Sequence, residues 1–177
     1  SPYSIYNNIK KLQPGSFMVI DIKKKELLIN KYWDLKNTKI KKLSYKDALT
    51  QLESLIEDCV KIRLNTDVNL GTFLSSGIDS ALITSIASKI SKNPINTFTI
   101  GFQDPDYDES EIAKKYSEIL KTKHKEYICD FKKLVDIIPI IPDVYDEPFS
   151  DPSSIPSIFV NSVANKNVTV VLSGDGG

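Results

Sequence analysis

The spacing of apolar positions changes several times along the 177 residues, and each change marks an element. In residues 14–35, PGSFMVIDIKKKELLINKYWDL, Phe17, Val19 and Asp21 alternate on one run, and Leu27, Ile29 and Tyr32 or Trp33 on a second. Period two on both sides of a lysine-rich connection predicts a short β-hairpin with its lysines at a solvated turn. Residues 36–43 are polar and read as a linker. From Ser44 the period lengthens: Ala48, Leu52, Leu55, Ile56, Cys59 and Ile62 recur at three- and four-residue intervals. That spacing predicts an amphipathic helix with Ser44 as its N-cap and Cys59 filling core on the apolar stripe.

Strand-like and helix-like runs then alternate. VNLGTFL (68–74) reads as a strand, SALITSIASKI (80–90) as a helix and NTFTIGF (96–102) as a strand. DESEIAKKYSEILK (108–121) is a helix whose acidic start and basic end match the helix dipole. HKEYICD (124–130) is a strand, FKKLVDIIPII (131–141) a short helix stopped by proline, IPSIFVNSVANK (155–166) a helix and VTVVLS (168–173) a strand. This order predicts an α/β fold: an open, mostly parallel sheet with helices on both faces, preceded by the hairpin. Two domains follow, residues 1–43 with the linker and residues 44–177. Ligands of such sheets bind beyond the carboxyl ends of the strands, where the polar turns 75–80 and 173–177 lie.

Composition narrows the function classes without choosing one. The 23 Lys and Arg balance the 23 Asp and Glu, so no net charge points to a nucleic-acid or membrane-surface partner. The lysines at 23–25 and 39–42 read as solvated faces. No stretch nears the roughly 18 apolar residues of a membrane span, and the first residues lack the plan of a secretory signal. Cys59, Cys129 and the single His124 give neither a zinc motif nor a disulfide framework. Buried, reduced thiols in a cytoplasmic protein are the expectation. The sequence stops at VTVVLSGDGG, a strand and a glycine-rich turn, which reads as a piece of a longer protein.

The candidate chemistry sits in FLSSGIDSALI (73–83). Ser75, Ser76 and Gly77 form a turn of small residues, and Ile78, Asp79 and Ser80 open a helix whose first amides have no carbonyl partners. Small side chains let an anion approach those amides, which makes the turn a phosphate or pyrophosphate nest. Asp79 would repel such an anion unless a divalent cation lay between them. A Walker loop, a dinucleotide fingerprint and a nucleophile elbow are all absent. The same residues can also be read as an ordinary strand-to-helix turn capped by Ser76 or Asp79.

FLSSGIDSALI resembles the PP-loop, SGGxDS, of the N-type ATP pyrophosphatases, whose adenine nucleotide α-hydrolase-like fold matches the order of elements above. TFTIGF, YDESEIAKKYSEIL, KHKEYICD, DEPFSDPSSIPSIFV and VTVVLSGDGG follow in the order and spacing of the synthetase domain of glutamine-hydrolysing asparagine synthetases. LQPGSFMVI and KYWDL are similar to the end of that family's glutaminase domain. The resemblance implies ATP-dependent adenylation of a carboxylate, aspartate above all, release of pyrophosphate, and attack by ammonia derived from glutamine. It implies ATP and Mg2+ as the small molecules held, and a homodimer in the longer protein. Ser75, Ser76, Gly77, Asp79 and Ser80 would hold the pyrophosphate end of ATP, with Asp79 reaching magnesium. Leu74 and Ile100 would frame the adenine through their main chain. Gly174 would lie against the nucleotide, and Ser173 near the adenosine or the acyl group. Asp175 fits the acidic position that assists ammonia attack, and a second magnesium carboxylate would follow Gly177. Without those further parts, residues 1–177 alone are expected to be inactive in synthesis. Ser76 replaces the family's usual glycine and so requires a backbone open to any residue. Two alternatives stay open: a non-catalytic nucleotide- or anion-binding module, and a relative that amidates a sugar acid, a peptide or a β-lactam precursor.

Other polar residues have weaker claims. Asp146, Glu147 and Asp151 fall in the loop that resembles the family's amino-acid site, and their acidity would suit an α-ammonium group; a solvated loop is the plainer reading. Asp108 and Glu109 read as the start of their helix, and His124 as structural or surface.

Overall fold

The computed structural model describes residues 2–148 and 150–175, which leaves Gly176 and Gly177 of the last turn outside the description. The chain divides into two compact units, one ending at Ser44 and one beginning at Tyr45.

The first unit holds the expected hairpin. Strands β1 (Ser16–Asp21) and β2 (Glu26–Lys31) pair antiparallel from Ser16 opposite Lys31 to Asp21 opposite Glu26. Lys23, Lys24 and Lys25 occupy the connection, where the Asp21 carboxylate accepts from the amides of Lys23 and Lys24 at 3.0 and 2.9 Å. At the open end Gly15 has φ +67° and its carbonyl accepts from Tyr32 and Trp33; a Cβ there would come within 2.2 Å of the Trp33 carbonyl oxygen.

The second unit is built from α1 (Tyr45–Leu64), β3 (Leu70–Phe73), α2 (Ile78–Ile90), β4 (Asn96–Phe102), α3 (Ser110–Leu120) and β5 (Lys123–Cys129). Then come α4 (Phe131–Ile137), α5 (Ile141–Tyr145), α6 (Ser154–Ala164) and β6 (Val170–Leu172). Among the described residues the sheet has four strands, all parallel, in the order β5-β4-β3-β6. The chain steps outward from β3 to β4 to β5, then crosses back to lay β6 on the other side of β3. One core packs α1 against α2 through Val60, Ile86 and Ala87 together with Ile95. The other packs Ala164 of α6 and Val168 against Phe98 of β4. The predicted α/β sheet with both faces covered is therefore present.

Three expectations need correction. The stripe on α1 is out of phase, because Val60 is its buried residue and Ile56 and Leu64 flank it, whereas Leu52, Leu55 and Ile62 are exposed. Half of the positions of that helix are apolar; its apolar contact with α2 runs along positions 56, 60 and 64, beside which Glu57 accepts from Lys89 of α2 at 2.8 Å. Cys59 faces away from that edge and is exposed, so of the two thiols only Cys129 is buried. Proline does not stop the helical run after β5 either. Pro139 and Pro142 each fall in the first turn of a new short segment, where a missing amide proton costs nothing, and the run continues to Tyr145.

Of the two readings of His124, structural or surface, its surroundings fit the structural one. Its Nδ1 lies 3.0 Å from the Thr97 hydroxyl, which also bonds the Thr122 hydroxyl at 2.8 Å, while Nε2 is buried without a partner. Burial pushes its pKa down, with Lys114 adding to the effect and Glu126 opposing it. The folded state therefore holds fewer protons than the unfolded chain below the ordinary histidine value near 6.5. Stability from this group is complete above that pH and declines as pH falls through it. Melting temperatures measured from pH 7.5 to 5 should drop more steeply in the wild type than in His124→Gln; parallel profiles would remove His124 as the cause.

Candidate active site

The return crossover makes β3 and β6 the neighbours between which the chain reverses its direction of travel across the sheet. Such a switch point leaves a crevice at the carboxyl ends of the two strands. Leu74 leads from β3 to the turn before α2, and Ser173, Gly174 and Asp175 follow β6 into the same crevice. A cleft of ≈ 350 Å³ opens there, lined by Leu74, Ser75, Gly77, Asp79, Ser80, Ile100, Ser173, Gly174 and Asp175 among others. Of the residues that the resemblance assigns to the nucleotide, only Ser76 lies outside that lining. Residues far apart in sequence thus converge where the sequence reading put them.

The turn is closed by its own serines. The Ser75 amide donates to Ser80 Oγ at 3.1 Å, the two hydroxyls bond at 2.8 Å, and the Ser80 hydroxyl donates to the Gly77 carbonyl at 3.0 Å. The Gly77 amide donates to Ser75 Oγ at 3.1 Å. The hydroxyls thus fix the shape of the loop, and the first-turn amides of α2 at Ile78, Asp79 and Ser80 have no carbonyl partner within the helix, whose first bond runs from the Ala81 amide to the Gly77 carbonyl. Gly77 precedes them in extended backbone, φ −70° and ψ 146°. Ser76 is not among the residues with positive φ, so serine needs no special backbone at that point.

Gly174 locks the two halves together. A Cβ at this position would lie 2.8 Å from the Asp79 carbonyl carbon, the Asp79 Cβ and the Ser80 nitrogen. The loop after β6 therefore rests directly on the first turn of α2, and only glycine permits that approach.

The other end of the cleft is apolar, with Phe73, Phe98, Phe102, Pro156 and Val160 in its walls. Here β4 outruns β3. The Phe98 carbonyl accepts from the Leu74 amide at 3.0 Å, after which the chain turns away into α2. Ile100 lies two residues further on, so its main-chain groups point toward the space that β3 has left. Leu74 has less to offer: its amide is taken by Phe98 and its carbonyl accepts from the Thr99 hydroxyl.

Charge in the cleft has one sign. Asp79, Glu109 and Asp175 line it, and no Lys, Arg or His does. The described residues hold no group of three or more His, Cys, Asp or Glu able to grip a metal ion.

Asp108 and Asp151 bond to their own framework. Asp108 accepts from the Ser110 amide and hydroxyl and from the Phe102 amide, and the Ser110 amide bond is the main cause of its lowered pKa. Asp151 takes the hydroxyl and the amide of Ser153 just before α6, which lowers its pKa in turn. Asp146 ends α5 with φ +60°. None of Asp146, Glu147 and Asp151 lines the cleft, so the structure does not bring them to it. Glu109 is the residue that the sequence reading missed. It stands at the start of α3 without a side-chain cap bond, and it reaches the cleft instead.

The sequence model of the asparagine synthase family matches residues 51–177. The chain belongs to this family. It is 39% identical, across its whole length, to a Methanocaldococcus jannaschii protein provisionally named asparagine synthetase [glutamine-hydrolyzing] 2, of which it covers 34%. It is 30% identical over 99% of its length to asparagine synthetase [glutamine-hydrolyzing] 1 of Bacillus subtilis, of which it covers 27%. The chain thus spans about a third or less of the length of these relatives. Among solved structures, an NMN synthetase from Francisella tularensis aligns with 73% of this chain and 54% of its own at 17% identity and a TM-score of 0.47, a likeness too distant to bear on function. Among the described residues no helix is long and apolar enough to cross a membrane.

Proposed function

We propose that this chain supplies the nucleotide-binding part of a ligase that activates a carboxylate with ATP and passes it to ammonia. The carboxylate oxygen attacks the α-phosphorus of ATP, an acyl-adenylate forms and pyrophosphate leaves. Ammonia derived from glutamine then attacks the acyl carbon, and AMP departs with the electrons of the broken carbon–oxygen bond. Aspartate, giving asparagine, is the substrate proposed, in line with the names of the relatives. The observation that carries this reading is the meeting of Ser75, Gly77, Asp79 and Ser80 at the start of α2 with Ser173, Gly174 and Asp175 after β6 in one crevice.

Each residue has a role in this account. The amides of Ile78, Asp79 and Ser80 hold the phosphates with the positive end of the α2 dipole behind them. Ser75, Gly77 and Ser80 keep that turn in shape, and Gly174 fixes it against β6. Ile100, with Leu74 beside it, offers main-chain contacts to the base, which lies against the apolar wall. Ser173 sits toward the acyl group, and Asp175 assists the attack of ammonia. A cleft lined by three carboxylates and no cationic side chain fits a divalent cation that arrives with the phosphates, as magnesium commonly binds. Asp79 would hold that Mg2+, whose charge would offset that of the phosphates.

The first unit is proposed to be the end of a glutaminase domain, with assembly as a homodimer in the cytoplasm part of the same reading. Residues 1–177 alone are proposed to bind nucleotide without forming amide, since they correspond to about a third of the M. jannaschii relative. The test is exchange of labelled pyrophosphate into ATP by the complete polypeptide carrying these residues. Exchange that requires aspartate is expected. Exchange that follows a sugar acid or peptide instead would change the substrate, and nucleotide binding with no exchange for any carboxylate would favour a binding module.

A further inference from the structure

Asp108 and Glu109 are adjacent carboxylates at the start of α3, and they do different things. Asp108 takes over the local bonding, accepting from Ser110 and Phe102. Glu109, although it occupies the N-cap position, makes no cap bond with its side chain. Its Oε2 crosses instead to the loop before α2 and accepts from the Ser76 amide at 3.1 Å, a contact between residues 33 positions apart. The Ser75 and Gly77 amides bond within the loop, so the one loop amide that points outward ends on a carboxylate.

We propose that Glu109 is a specificity-determining residue of the cleft: its carboxylate holds, while the cleft is empty, the amide that a phosphate oxygen takes on binding. The inference rests on reading the cleft as a nucleotide site. A carboxylate oxygen and a phosphate oxygen are both anionic acceptors, and one N–H serves one of them well at a time. A phosphate arriving without a cation must displace Glu109 and then lie among Glu109, Asp79 and Asp175 with no basic side chain lining the cleft. A phosphate that brings a divalent cation escapes most of that repulsion. Glu109 thereby discriminates between free and metal-bound phosphate.

The test is calorimetric titration of inorganic pyrophosphate and ATP, in excess EDTA and in excess Mg2+, against the wild type, Glu109→Ala and Glu109→Gln. Glu109 is exposed, and both variants should keep the wild-type circular dichroism. Glu109→Ala should bind free pyrophosphate about tenfold more tightly than the wild type, the worth of one charge-assisted competitor. Glu109→Gln, neutral but still able to accept from Ser76, should gain less, and the ratio of affinities with and without Mg2+ should shrink in both. In parallel, the Ser76 amide resonance should move on Glu109→Ala substitution in the empty protein. Free pyrophosphate bound no more tightly by Glu109→Ala, with Mg2+-ATP still bound by the wild type, overturns this inference and leaves the nucleotide site standing. A wild type that binds neither phosphate form overturns both.

Discussion

Gly174→Ala is expected to raise the dissociation constant for Mg2+-ATP by about 30-fold while the sheet remains folded. Space decides the outcome. The new Cβ would fall 2.8 Å from the main chain of Asp79 and from the Ser80 nitrogen, and neither is the end of a flexible side chain that could swing away. Two backbones must part. Overpacking of this kind costs roughly 1–3 kcal/mol, and the displacement falls on the first-turn amides of α2, which are the proposed phosphate donors. If about 2 kcal/mol of that appears as lost binding, the factor is about 30. Calorimetry measures the affinity and a melting curve checks the fold. Unchanged affinity in a folded variant would mean that the contact between the β6 loop and α2 does not shape the site.

Asp79→Asn is expected to lose more. The side chain is exposed at the mouth of the cleft, so its charge matters for what binds there and little for the core. Stability should stay within about 0.5 kcal/mol, as for surface substitutions away from packed features. Mg2+-dependent binding of ATP should fall by on the order of 100-fold, the scale of losing one partner from a close charge pair. Affinity for ATP in EDTA should not fall, because the variant removes a repelling carboxylate. Magnesium titrations that superimpose for the variant and the wild type would take the metal role away from Asp79.

These two residues also mark how far the sequence could be read. The turn 75–80 was legible because its chemistry is local: small residues, a strand before and a helix after are visible within a dozen positions. The alternation of periods likewise revealed β3 to β6 and the helices between them. What periodicity does not encode is which strands become neighbours. The return of β6 to the far side of β3 creates the switch point, and it brings Gly174 onto Asp79. Glu109 was out of reach for the same reason, because its partner is Ser76, and its place at a helix start gave it a sufficient local explanation. The phase of α1 failed differently. A helix apolar at half of its positions has several possible buried edges, and only the packing of Val60 on Ile86 and Ala87 chooses one. With Pro139 and Pro142, the residue type was read correctly and its place in the helix was not: proline breaks a helical interior but fits a first turn.

The central claim is that the first-turn amides of α2 and Asp79 grip the phosphates of ATP at the β3–β6 switch point. A crystal structure with Mg2+ and an ATP analogue that resists cleavage between its α- and β-phosphorus atoms tests it most directly. The account predicts phosphate oxygens against the amides of Ile78, Asp79 and Ser80, the metal beside Asp79, and the base along Ile100. Phosphates bound anywhere else on the chain would contradict it.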